Sequence, residues 1–506
     1  MSAVGPRNLA RLAEEAHERW GDYPAVFFED SWFDSAELFR RATRLAAGLS
    51  EGGLGAGDRV VVMMENLPDV PVIYDAVFRA GAVIVPVIFL LNPEELHRIV
   101  VDSQASAVIT SKALRAKVDA ATADVAGLRF VVSAGEELTA LEAAQPASIV
   151  PRSDDDLSAL VYTGGTTGSS KGVMLSHANL WEAGRQGQSV GYAPGVTRGL
   201  TCLPLSHSYG LLVLTVSRHA RERPESVLMR WFDAPSWLAL AERQRVQISA
   251  VVPSMLYRLL QEPLERFDLS ALTAVVSGAA PLDLRAAREF MARVPGVELR
   301  EGYGLTETAA LLATNPPGKV RLGTVGPAVP GTKVRLLDDA GREVAAGEAG
   351  EICVRSAHVM RGYWNEPELT ANTLADGWLR TGDIGRLDES GYLSIIDRKK
   401  DLILRGGLNV FPRDVEEVLV EHPDVTAACV IGRPDSLHGE EVVAFVTLRK
   451  EANLSPDELV AYAREHLAAY KYPREIHVVS ALPLTPVGKA DRKALRQILT
   501  DQGART

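Results

Sequence analysis

Cysteine is scarce in this chain. Its 506 residues include three, Cys202, Cys353 and Cys429. They are odd in number, far apart and without a C-x-x-C pair, which excludes a disulfide framework or a zinc knuckle as the organising device. A reducing, cytoplasmic compartment is expected. Basic residues are also in short supply: 54 Lys plus Arg stand against 65 Asp plus Glu, a formal charge of -11 at pH 7. A protein held on nucleic acid through its phosphates normally shows the opposite balance, so nucleic acid is not an expected partner. Long apolar runs are missing as well. The most apolar stretch, Gly81 to Leu91, is broken by Pro86 and falls short of the ~18 residues that a membrane span needs, so it reads as a buried strand. Met1 to Trp20 carries Glu14, Glu15 and Glu18 without an apolar core, which reads as a surface helix and not a signal peptide.

What remains is a globular composition, with 46% hydrophobic and 24% charged residues and a length that suggests roughly three domains, or fewer if one is large. The first 150 residues alternate helix-like and strand-like runs. Asp34 to Gly53 places Ala36, Leu38, Phe39, Ala42, Leu45, Ala46 and Leu49 at helical spacing, and Asp58 to Met64 is a β-branched run. A second such unit covers Asp69 to Val87, and a further strand covers Ala107 to Thr110. This rhythm predicts an α/β fold, a large N-terminal domain of mostly parallel sheets covered by helices. It resumes with strands at Ile248 to Pro253 and Leu272 to Ser277. From Gly323 to Val354, Gly and Pro punctuate short alternating strands, which predicts a β subdomain over about 323–396. The boundary falls at the charged run 397–401. Beyond it, 402–506 reads as a small α+β domain, with helices near Pro412 and at Pro456, where Ser455 can cap.

The chemistry-bearing stretch is Tyr162 to Gly172, YTGGTTGSSKG. Its glycines let backbone N–H groups approach a phosphate, its hydroxyls add donors and Lys171 adds charge, so the composition suits an oligophosphate cradle. It is not a Walker loop, because two serines separate Gly168 from Lys171. Gly168 to Gly172 also matches G-x-S-x-G, the nucleophile elbow. That motif requires one sharp strand-to-helix turn, and the Gly/Thr/Ser run before Ser170 argues for a coincidence of composition. In Gly302-Tyr303-Gly304-Leu305-Thr306-Glu307, glycines flank an aromatic face and are followed by a hydroxyl and a carboxylate, which suits a stacked base with a metal ligand nearby. Asp383 follows a Thr-Gly turn, where a carboxylate can accept from two vicinal hydroxyls.

Taken with Thr381-Gly382-Asp383, Asp397 to Asp401, Arg405-Gly406-Gly407 and Pro486-Val487-Gly488-Lys489, these motifs in this order resemble the adenylate-forming superfamily. That group comprises acyl-CoA synthetases, nonribosomal peptide adenylation domains and beetle luciferases. The resemblance covers nearly the whole chain and is nearest to acyl-CoA synthetases. It implies that Thr163, Gly164, Gly165, Thr166, Thr167, Gly168 and Lys171 cradle the phosphates of ATP. Gly278, Ala279, Ala280, Gly302, Tyr303 and Gly304 would form the adenine wall and pocket. Thr306 would meet the α-phosphate, Glu307 would hold Mg2+, and Asp383 and Arg398 would hold the nucleotide. Lys489 would serve adenylation, and Arg405, Gly406 and Gly407 the coenzyme A step. The run 397–401 becomes a hinge with Lys400 as pivot, and 402–506 a mobile lid. Leu203 to Gly210 resembles the segment lining the carboxylate end of the acyl pocket, with His207 as candidate.

The expected activity is ATP-dependent ligation of a small carboxylic acid, fatty or aromatic, to coenzyme A through an acyl-adenylate, as monomer or homodimer. Loading of a carrier protein and noncatalytic binding of a nucleotide or acyl-adenylate are the alternatives. Amino-acid activation is disfavoured, because no Asp for a substrate ammonium stands around His207. One departure from the family pattern is Ser217 to Ser226, whose Arg218, His219, Arg221 and Arg223 read as a solvated face.

Overall fold

The computed structural model describes residues 4–163, 170–406, 408–435, 437–450, 452, 454–485 and 490–503. Compactness divides the chain into two units, Met1–Lys333 with Val354–Leu379, and Val334–Cys353 with Arg380–Thr506.

The first unit contains two large sheets. In one of seven strands, Phe130–Ser133, Ala105–Thr110, Arg59–Met63, Val83–Val87 and Leu157–Thr163 run parallel, and Lys171–Ser176 and Gly362–Tyr363 add antiparallel strands at one edge. In the eight-stranded sheet, Glu298–Tyr303, Ala274–Ser277, Ile248–Val251, Arg198–Thr201, Glu225–Leu228 and Pro24–Phe28 run parallel, with a short antiparallel strand at each edge. Parallel strands need covered faces, and the sequence supplies them. Val60, Val61, Val62 and Met63 are all buried, as are Val83, Ile84, Val85 and Val87. The helix Asp69–Arg79 links these two strands, and Ser35–Glu51 precedes the first of them. The core against the larger sheet is built on Trp237, Leu256 and Phe290, each fully buried. Burial of such a side chain is worth roughly 1.5–3 kcal/mol.

The N-terminal helix Leu9–Trp20 lies at the surface as expected, with one face packed inward. Leu9, Leu12, Ala13 and Ala16 recur at i, i+3, i+4 and i+7 and are buried, and Arg11, Glu18 and Arg19 meet solvent. Asn8 caps it through Ala10 and Arg11 N–H groups.

The expected β region appears as a five-stranded sheet of Lys333–Leu337, Ala349–Arg355, Leu374–Ala375, Trp378–Leu387 and Leu393–Arg398. Gly362–Tyr363 departs from it to join the seven-stranded sheet. Further along, a second five-stranded sheet has Gly439–Leu448 between Val425–Asp435, Ile403–Arg405 and Glu475–Val478, with Leu408–Val410 at its edge. Pro412–Glu421 and Pro456–His466 cover it through Val415, Leu419, Leu459 and Ala463. Ser455 and Glu458 close a capping box at the second helix.

Candidate active site

Parallel strands deliver their following loops to one edge, the carboxyl edge, where ligands of open α/β sheets sit. The eight-stranded sheet brings three predicted segments there. Ala274–Ser277 leads into Gly278 to Ala280, Glu298–Tyr303 ends in the Gly302 motif, and Arg198–Thr201 leads to His207. Ser277 and Glu301 are in register, so the first two loops emerge side by side. A Cβ at Gly278 would stand 3.1 Å from the Gly302 carbonyl oxygen, and one at Gly304 would stand 2.4 Å from the Ala310 carbonyl. Only glycine permits the second approach. Ala279, Ala309 and Ala310 hold φ of 69°, 49° and 67°, left-handed backbone that L-residues adopt at a cost of roughly 1 kcal/mol or more. The buried hydroxyls of Ser206 and Ser277 have no hydrogen-bond partner among the described residues, a cost unless a ligand or water satisfies them.

His207 is half-buried and caps the helix Ser208–Arg218. Its Nδ1 accepts from the Tyr209 N–H at 3.2 Å, with Ser208 Oγ at 3.4 Å. An Nδ1 that accepts leaves the proton of the neutral ring on Nε2. Thr306 joins this corner, its hydroxyl 3.4 Å from Ser208 Oγ.

Thr163 and Lys171 are cross-strand neighbours that close the hairpin of Leu157–Thr163 and Lys171–Ser176. Gly164, Gly165, Thr166, Thr167 and Gly168, which join them, lie outside the described residues, as do Gly407 and Lys489. Ser170 is exposed and leads into a strand, not a helix. That geometry removes the nucleophile-elbow reading.

Tyr363, which the motif search did not single out, joins two of the predicted groups. Its strand pairs with Lys171–Ser176, and its Oη donates to Glu307 Oε1 at 2.8 Å. The Lys171 ammonium lies 5.9 Å from the centre of its ring. Burial, with the Glu307 charge beside it, raises the Tyr363 pKa, so the phenol remains a donor. The Glu307 turn is held from behind, where its carbonyl accepts from Met360 N–H at 2.9 Å. One oxygen of Glu307 has no hydrogen-bond partner among the described residues. A half-buried carboxylate with one oxygen open fits a hard cation that completes its shell with substrate phosphates.

In the second unit, Asp383 and Arg398 face each other on antiparallel strands, Arg398 Nε 3.1 Å from the buried carboxylate. The run Asp397 to Asp401 is more built than its composition suggests. Asp397 is buried and accepts from the Arg398 and Arg413 N–H groups; burial lifts its pKa to about 6. Lys399 pairs with Glu351 at 3.2 Å, and Asp401 with Arg496 at 3.2 Å. Lys400 remains exposed. Arg405 spends its guanidinium on Glu441, at 2.6 and 3.0 Å. Gly406 holds φ 58°.

The basic segment needs correction in part. Arg218 forms an ion pair with buried Asp75, and His219 Nε2 lies 3.0 Å from the Trp181 carbonyl, its pKa pushed by burial down to about 4. Arg221 and Arg223 are exposed as expected. Asp75 and Trp181 lie far away in sequence, which is why the run reads as a solvated face.

A family model described as AMP-binding enzyme matches residues 13–364. The chain belongs to that family. The AMP-binding enzyme C-terminal domain model matches residues 414–489. A long-chain-fatty-acid–CoA ligase of Bacillus subtilis (strain 168) is 34% identical, over 98% of this chain and 95% of its own length. A feruloyl-CoA synthase of an Amycolatopsis species is 37% identical, over 91% of this chain and 93% of its own. Among solved structures, ATP-bound MatB from Rhodopseudomonas palustris superposes with TM-score 0.90 at 33% identity, covering 97% of this chain and 99% of that one. This AMP-binding enzyme thus shares the adenylate-forming fold expected from its motifs, over 97% of the chain.

Proposed function

We propose that this enzyme, an AMP-forming acid–thiol ligase, activates a fatty or aromatic monocarboxylic acid and transfers it to coenzyme A. A carboxylate is a poor electrophile, so it first attacks the α-phosphorus of ATP. Pyrophosphate leaves, an acyl-adenylate forms, and the coenzyme A thiolate then attacks its carbonyl carbon as AMP departs.

The observation that carries this reading is the convergence of Lys171, Tyr363 and Glu307 beside the Gly302 to Glu307 turn. Lys171 supplies positive charge to phosphate oxygens, and Tyr303 offers a face to adenine. Thr306 donates toward the α-phosphate, and His207 orients the acid through Nε2. Glu307, aligned by Tyr363, would hold Mg2+, which when bound neutralises phosphate charge. Asp383 accepts from the ribose hydroxyls with Arg398 at its side. Lys489 serves the first half-reaction and the Arg405 to Asn409 loop the second, exchanged by rotation about Lys400.

The substrate class follows from charge. Arg218, which ends the His207 helix, is committed to Asp75, and His219, kept neutral by burial, lies on the Trp181 carbonyl. They offer no counter-charge to a second carboxylate. The names of the fatty-acid and feruloyl relatives point the same way.

ATP/pyrophosphate exchange across fatty, aromatic and dicarboxylic acids tests this. Exchange is expected with the first two and at least about tenfold weaker with dicarboxylates, the cost of one unpaired carboxylate. Preference for dicarboxylates, or net AMP release that coenzyme A does not accelerate, contradicts it.

A further inference from the structure

We infer that Asn66 is a positioning residue for the acid-binding segment, holding His207 in place from the opposite sheet; this rests on the role given to His207 above. Asn66 follows the strand Arg59–Met63 of the seven-stranded sheet and is 2% exposed. Its Nδ2 donates to the Leu203 and Met229 carbonyls, each at 3.0 Å, and its Oδ1 accepts from the Leu205 N–H at 2.8 Å. Two carbonyls and one N–H leave only one orientation of the carboxamide. Every polar hydrogen of that side chain is used.

The partners locate its effect. Leu203 and Leu205 belong to the stretch that leaves Arg198–Thr201 and ends at His207, whereas Met229 follows the neighbouring strand Glu225–Leu228. One side chain therefore ties the carboxyl ends of two strands of one sheet to the end of a strand in the other. Tyr74, also 2% exposed, adds a bond from Oη to the Leu205 carbonyl at 3.3 Å. From Leu205 the chain has no slack to His207. The His207 N–H bonds the Pro204 carbonyl at 3.1 Å, the Gly210 N–H bonds the His207 carbonyl at 2.8 Å, and a Cβ on Gly210 would stand 2.4 Å from the Leu205 carbonyl oxygen. A shift of Leu205 is thus passed to the imidazole. The loops carrying Tyr303 and Gly278 share no hydrogen bond with Asn66, so nucleotide contacts should be spared.

Asn66→Ala leaves two buried carbonyls and one N–H without their partner. The expected result is a KM for the acid raised about tenfold or more, with KM for ATP within about twofold of wild type. Tyr74→Phe, which keeps shape and removes one bond, should raise the same parameter by less and keeps the inference testable if Asn66→Ala folds poorly. Asn66→Asp retains the acceptor but sets a carboxylate against two carbonyls, so it should not rescue. Equal increases in both KM values, or a fall in kcat with the KM for the acid unchanged, would mean a general structural role and overturn the inference. His207→Ala separates the two levels. If it leaves the acid KM unchanged, the acid-site reading fails and takes this inference with it; if it raises that KM while Asn66→Ala does not, the inference alone fails.

Discussion

Glu307→Gln is expected to raise the Mg2+ concentration for half-maximal ATP/pyrophosphate exchange by about 10- to 100-fold, the range seen when metal sites lose a supporting partner. The substitution is chosen for what it preserves. Glutamine keeps a carbonyl oxygen at the position that accepts from Tyr363 Oη at 2.8 Å, and the Glu307 main chain still accepts from Met360 N–H. Shape and turn therefore survive while the charge is lost. Tyr363→Phe makes the complementary change, leaving the charge and removing its alignment, so it should shift the Mg2+ requirement in the same direction by less. An unchanged Mg2+ requirement in a folded Glu307→Gln protein would show that the carboxylate serves the turn and not the cation. Thermal unfolding of both variants within a few degrees of wild type separates charge loss from destabilisation.

Lys489→Ala should divide the two half-reactions. On the role proposed for Lys489, loss of its charge should lower adenylate formation by about 10²–10³-fold, the scale for removal of one preorganised transition-state partner. Coenzyme A transfer from supplied acyl-adenylate involves no bond to pyrophosphate and should stay within a few fold of wild type. Single-turnover kinetics of each step provide the measurement. Equal losses in both steps would contradict the assignment and point to a fold defect.

Local signals in the sequence were readable wherever the physics was local. The helical spacing from Ala36 to Leu49 became Ser35–Glu51, and the Ser455-Pro456 start became a capped helix. Gly304 was visible as part of a motif, although its reason, an approach of 2.4 Å to Ala310, required the folded chain. Long-range pairing was not readable. Tyr363 meets Glu307 across 56 residues, and Arg218 meets Asp75 across 143. The first of these hid a candidate site residue among ordinary aromatics, and the second made a structural cation look solvated. Arg405 has a long-range partner of the same kind: the resemblance singled out its loop, but its ion pair with Glu441, 36 residues on, was not readable. Asn66 carried no signal at all, because its meaning lies in three backbone groups contributed by two distant loops.

In the proposed reaction a carboxylate oxygen becomes bonded to the α-phosphorus before the thiol arrives. Turnover of an acid labelled with 18O at both carboxylate oxygens, in the presence of ATP and coenzyme A, tests it by mass spectrometry of the nucleotide product. The oxygen that attacks phosphorus bridges the acyl-adenylate and leaves with AMP when the thiolate takes the carbonyl carbon. AMP carrying one 18O, with unlabelled pyrophosphate, is the predicted result. Unlabelled AMP, or label in inorganic phosphate alongside ADP, would contradict it.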